Sequence, residues 1–148
     1  EIVPKPKIIV DDDFYIENAK SEISVRLGQS KFRKKVLKNF GGKCALSGIS
    51  ESSLLIASHI VPWSHDKHLR GDISNGICLY TEYDMLFDKG FLSFSDNFEV
   101  ILTPLYDSLS DGLKVRLDSL SGLKLQKPKT KEIKKDYLKY HRENFLKK

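Results

Sequence analysis

Apolar and polar positions along the chain mark out a small set of elements. The acidic, proline-containing opening, with Pro4, Pro6 and Asp11 to Asp13, reads as a linker or an edge strand. From about residue 18 to residue 40 the spacing predicts a helix, interrupted near Gly28. In its second half Phe32, Val36, Leu37 and Phe40 fill one face, and Lys31, Lys34, Lys35 and Lys38 fill the other. Arg33 falls among the apolar positions, and Gly41-Gly42 stops the helix. An apolar run, Leu54-Leu55-Ile56-Ala57, leads into Ser58-His59-Ile60 and ends at Pro62-Trp63. After a polar loop, Asn75-Gly76 reads as a turn before a short strand, Ile77-Cys78-Leu79-Tyr80. Thr81 then suits a helix N-cap with Asp84 at N3, and the helix is expected to run to about Asp88 and end at Gly90. FLSF and FEVIL, separated by Ser95-Asp96-Asn97, read as a hairpin. From Lys129 onward the composition is helical, with Ile133, Tyr137, Tyr140 and Phe145 as anchors on the core. Helix, strand, loop, strand, helix, hairpin, helix is an α+β order.

Composition adds bounds. With 148 residues, 40% of them apolar, the chain can build one core. No stretch approaches the roughly 18 apolar residues of a membrane helix. No basic start followed by an apolar run opens the chain, so no signal peptide is expected, and an opening residue other than Met suggests a fragment of a longer protein. Two cysteines, Cys44 and Cys78, make no disulfide framework, so reduced thiols buried as small apolar groups in a cytoplasmic protein are expected.

Charge changes the picture more. Residues 1–19 carry −3, residues 20–43 carry +7, residues 44–123 carry −6 and residues 124–148 carry +7, for a net +5. Basic arms around an acidic centre suit a polyphosphate outside and a cation inside, although helix faces that are merely solvated give the same pattern. The chemistry-bearing segment runs from His59 to Asp88. It sets a histidine at a strand end and an acid-bearing helix just after the next strand. A neutral imidazole can deprotonate water near pH 7, and Asp84 and Asp88, at i, i+4 on one helix face, offer hard oxygen ligands. Taken singly, each of these residues is as readily structural.

Their order is more specific. GQSKFR (28–33), CALSG (44–48), ASHIVPW (57–63), Arg70, Asp72, NG (75–76), DMLFDKG (84–90) and LSF (92–94) together resemble the HNH endonuclease family, in its restriction-type branch. The resemblance implies a ββα-metal (His-Me finger) core with flanking helices and an additional hairpin. It implies hydrolysis of double-stranded DNA to 5′-phosphate and 3′-hydroxyl ends. His59 then stands where the family has its general base and Asn75 where it has the residue orienting that histidine. Asp84 stands where a histidine ligand is usual, and Ser58 where an acidic or histidine ligand is usual. Carboxylate in place of imidazole shifts the expected metal to Mg2+ or Mn2+. Asp88 either joins the metal or caps the connection beside it. Arg70 and Arg33, with Lys31, Lys34 and Lys35, are the candidate DNA contacts, Arg70 otherwise bracing its loop and Arg33 otherwise snorkelling to solvent. His65 and His68 lie in the same loop with no assigned role, and Trp63 is expected to pack. The expected divisions are a linker or edge segment over 1–19, a nuclease core with its basic helix over 20–104, and a basic helical extension over 105–148. Further domains of a longer chain and a homodimer are expected partners, since one such site cuts one strand. Because two usual ligands are replaced, a DNA-binding module with a decayed site is the alternative reading.

Overall fold

The computed structural model describes residues 12–62 and 69–148. Helix α1 (Asp12–Asn39) runs without interruption, so residues 12–19 are helical, while the rest of the expected linker or edge segment, with Pro4 and Pro6, lies outside the described residues. Gly28 does not break the helix. A single glycine costs a helix only about 1 kcal/mol. Here its neighbours on both sides are good helix formers, and no foreign atom lies within 4 Å of where its Cβ would be.

After α1, the left-handed pair Gly41 (φ 67°) and Gly42 (φ 71°) turns the chain back. A 3-10 turn (Ser52–Leu54) then leads into β1 (Leu55–His59). β1 pairs antiparallel with β2 (Gly76–Tyr80), Leu55 opposite Tyr80 and His59 opposite Gly76. Asn75-Gly76 is therefore not a hairpin turn. Asn75 closes a 3-10 turn (Ile73–Asn75) and Gly76 is already the first residue of β2, at φ −125°. The glycine serves packing instead: a Cβ there would lie 2.5 Å from Val36 Cγ2 and 2.8 Å from Phe32 Cζ, so its absence lets α1 lie against the strand.

Helix α2 (Thr81–Asp88) follows β2 directly. Thr81 is not its cap, since its hydroxyl donates to the Leu54 carbonyl across the sheet. Gly90 (φ 79°) ends the helix in a close approach, with a Cβ there 2.0 Å from the Phe145 carbonyl oxygen. The expected hairpin is present, β3 (Leu92–Phe94) against β4 (Val100–Leu102). A helix that the hydrophobic pattern does not signal, α3 (Asp111–Asp118), is capped by Ser110, whose hydroxyl accepts from Leu113 N.

The last helix, α4 (Lys135–Asn144), docks through Leu138 and His141, with Tyr140 left outward. Phe32 and Val36 of α1, Ile77 and Leu79 of β2, Phe87 of α2, and Leu117, Leu120, Leu125, Ile133 and Leu138 share one buried cluster. The segment after β4 thus completes the core that the sheet and α1 begin. His141 is 2% exposed, stacks on Phe87 at 3.8 Å, and spans two elements. Its Nε2–H donates to the Phe87 carbonyl (3.0 Å) and its Nδ1 accepts from the Ser93 hydroxyl (2.7 Å). Cys44 and Cys78 are buried free thiols, and burial pushes the Cys78 thiol up to about 11. Among the described residues no helix is long and apolar enough to cross a membrane.

Candidate active site

Side chains alternate across a strand, so the last two residues of β1 face opposite ways. Ser58 turns inward to α2, and its hydroxyl donates to the Asp84 carboxylate. His59 turns to α1 and stacks on Phe32, ring centroids 3.9 Å apart and planes 8° from parallel. One ring nitrogen bonds the backbone of Arg70. A carbonyl partner fixes one N–H and leaves the other nitrogen as the lone-pair site, the tautomer a base requires. Burial holds the His59 pKa below the ordinary imidazole value, against the Arg70 bond that raises it, so the ring is neutral at pH 7.

Asn75 is fully buried and makes a two-point clamp on Val61. Its Nδ2 donates to the Val61 carbonyl (2.9 Å), and its Oδ1 accepts from Val61 N (2.9 Å). Ile60 N donates to the Asn75 carbonyl at 3.0 Å. The two residues after His59 are thereby bound to the turn before β2, which fixes where the strand end points.

That turn is itself braced. Asp72 Oδ1 accepts from Ser74 N (3.0 Å) and Ser74 Oγ, and its Oδ2 accepts from Tyr137 of α4 (2.6 Å). Lys134 stands 3.7 Å from the same carboxylate. Although burial works to raise the Asp72 pKa, the Ser74 and Tyr137 hydrogen bonds and the Lys134 charge hold it below the usual value.

On the α2 side, Asp84 is half-buried and Asp88 lies exposed one turn on. Desolvation raises the Asp84 pKa and the Asp88 charge adds to it, while the Ser58 hydroxyl opposes both. A carboxylate held under repulsion from a second one is stabilised by a cation placed between them. Two carboxylates and a hydroxyl are hard oxygen donors that fit Mg2+ or Mn2+ better than a soft-ligand metal, but they make an incomplete shell. Among the described residues no group of three or more His, Cys, Asp or Glu side chains could hold a metal. Substrate phosphate and water would have to supply the remaining ligands.

Ser58, Asp84 and Asp88 thus gather on one side of β1, and His59 lies one residue away on the other. Beside His59 is an open pocket of about 220 Å³ lined by Ser24, Val25, Gly28 and Gln29 of α1 with Arg70 and Gly71. Lys31, Lys34 and Lys35 are exposed on α1. Arg33 donates from Nη1 to the Leu55 carbonyl (2.5 Å) and from Nη2 to the Ser52 carbonyl (2.7 Å), so its guanidinium anchors the start of β1. Its place among apolar positions reflects the carbonyls waiting for it at the sheet edge. Trp63, His65 and His68 lie outside the described residues. The roles of Phe32 and Asp72 at this site emerge only from the structure. Asp72 carries a sequence signal, an Asp two residues before a serine in a turn-rich segment, whereas the Phe32 stack depends on how α1 crosses the sheet.

Residues 44–95, which hold β1, β2, α2 and β3, match the family model for HNH endonucleases. This segment is an HNH endonuclease domain. A solved structure of a modification-dependent TagI restriction endonuclease shares the fold, with a TM-score of 0.52 and 22% identity over 76% of this chain. The chain spans 36% of that protein's length. No curated protein matches the chain.

Proposed function

We propose that the chain is a metal-dependent endonuclease of the restriction type acting on double-stranded DNA. The observation that supports this most is the end of β1, which sets a neutral imidazole and an oxygen-ligand cluster on adjacent residues inside an HNH domain. In this reading His59 takes a proton from water at the ring nitrogen that keeps its lone pair, as the water attacks phosphorus. The Arg70 backbone holds the ring's other nitrogen, and the Phe32 ring fixes its plane. Asn75 keeps the strand end aimed through its clamp on Val61. Asp84 and Asp88, with the Ser58 hydroxyl, would hold a divalent cation, whose chemistry is to stabilise charge on the scissile phosphate and the departing 3′ oxygen. Ends bearing 5′-phosphate and 3′-hydroxyl result. Lys31, Lys34, Lys35 and Arg70 supply phosphate contacts.

The test is nicking of supercoiled plasmid over a metal series, with the ends mapped. Mg2+ or Mn2+ should support cleavage that Asp84→Asn abolishes. His59→Ala should lose roughly 10²- to 10⁴-fold in rate, the usual contribution of a general base, while still binding DNA. Full cleavage by His59→Ala would refute the mechanism. The short donor set favours a second reading, a DNA-binding module with a decayed site. It requires salt-sensitive binding with no nicking under any metal.

A further inference from the structure

Outside the HNH site, the C-terminal segment builds one feature that catalysis leaves unused. An open groove of about 340 Å³ is lined by Phe40, Lys43, Cys44, Leu46, Ser47, Gly48, Gln126, Lys127 and Lys129. Buried Phe40, Cys44 and Leu46 lie beneath it, Lys43, Lys127 and Lys129 bring three ammonium groups to it, and none of its lining residues is acidic.

The walls are stapled together. Gln126 N donates to the Ala45 carbonyl (2.8 Å) and Lys129 N to the Asn39 carbonyl (2.8 Å). Asn39 is 2% exposed. Its Oδ1 accepts from Thr130 N, Thr130 Oγ1 and Lys131 N, and its Nδ2 donates to the Lys131 carbonyl. Lys129 is seated rather than adrift. Its stem crosses Gly41, its Cε 3.0 Å and Nζ 3.1 Å from where a Cβ would stand. Lys127 faces Glu132 at 4.0 Å, with both side chains some four-fifths exposed, a pairing too weak to compete with a polyanion.

We infer that this groove is a second contact for the phosphate backbone of duplex DNA, separate from the contacts around His59. The inference rests on the nuclease reading for its substrate. A trough of mixed polar and apolar lining with three cations suits a sugar-phosphate strand: sugars rest against the lining while phosphates displace counterions at the lysines. Phe40, just past the end of α1, lies two helical turns beyond Phe32, about 12 Å along the axis at 1.5 Å per residue. The groove and His59 also share a scaffold, since α1 carries both Asn39, which holds the groove wall, and Phe32, which stacks on His59.

The experiment measures binding of the full chain to a duplex oligonucleotide without divalent metal, across a salt series. For the triple variant Lys43→Gln, Lys127→Gln, Lys129→Gln, the slope of log affinity against log salt should shrink by roughly 2 to 3, close to 0.9 for each phosphate no longer neutralised. Replacing the same three with Arg should preserve the wild-type slope. A control variant with equal charge removed elsewhere, Lys89→Gln, Lys114→Gln, Lys139→Gln, should change the slope by less than one. An unchanged slope in the groove variant, or an equal change in the control, would overturn the inference. So would a matched RNA duplex that binds more tightly and carries the variant effect. A wild-type chain that binds no duplex defeats the nuclease reading itself, which is distinct from wild-type binding with an indifferent groove.

Discussion

His59 is held by three forces that act on different properties of the ring. The Arg70 backbone selects the tautomer, the Phe32 stack sets the plane, and burial keeps the proton off. If the ring is the base, cleavage must fall as it protonates. The pH profile of kcat/KM should therefore rise through a midpoint below 6.5 and flatten above it. In Phe32→Leu the ring gains water, so the midpoint should move upward toward 6.5 while cleavage slows at every pH. A profile unchanged in that variant would remove Phe32 from the site. Asn75 admits a harsher test. Removing its amide in Asn75→Ala leaves both Val61 backbone groups buried without partners, which costs on the order of 2–6 kcal/mol at about 1–3 each. Chemical denaturation should register that loss, and the residual folded protein should cleave poorly because the strand end is no longer aimed.

At the scale of elements, glycines show where sequence reasoning succeeds and where it stops. The period of α1, the strand bearing His59, the helix bearing Asp84 and the 92–102 hairpin are all legible, because each rests on local alternation and turn chemistry. Gly76 and Gly28 mislead for a shared reason: local rules see only the residue's own backbone. In an Asn-Gly pair Gly76 imitates a turn, yet what demands it is the approach of Val36 and Phe32 from another element. Gly28 imitates a helix break, yet the long helix tolerates it. Arg33 and Asp72 are opaque likewise, since their partners lie in segments distant along the chain. The two glycines should respond to alanine with opposite signs. Gly76→Ala overpacks a closed contact and should destabilise by about 1–3 kcal/mol, disturbing Phe32 and with it His59. Gly28→Ala meets open space in a helix and should stabilise by up to about 1 kcal/mol. Urea midpoints for the two variants check both, and the same sign for each would contradict the packing assigned to α1.

Across the whole molecule, α4 joins the two ends of the design. Lys134 and Tyr137 brace the Asp72 turn that presents Asn75, while His141 is sealed between Phe87 and Ser93 on the far side. Burial, with a smaller push from Arg142, lowers the His141 pKa to about 4 against the bond to Phe87 that raises it. In the unfolded chain the same ring titrates near 6.5. Between those values the unfolded state holds a proton that the folded state refuses, so stability rises with pH there. Above about 6.5 the ring is neutral in both states and contributes no slope. As pH falls from 6.5 to about 4 the fold should lose on the order of 3 kcal/mol through this one residue, and below 4 the loss levels off. His59 is also depressed and slopes the same way, so the measurement must be a difference. Denaturation midpoints of wild type and His141→Gln, followed from about pH 7.5 down to about 4, should converge, because glutamine lowers stability at neutral pH but carries no titrating group. Parallel curves would show that His141 takes up its proton in the fold as readily as in the unfolded chain. Convergence would show that acid removes the stability that a neutral, buried His141 gives to the docking of α4.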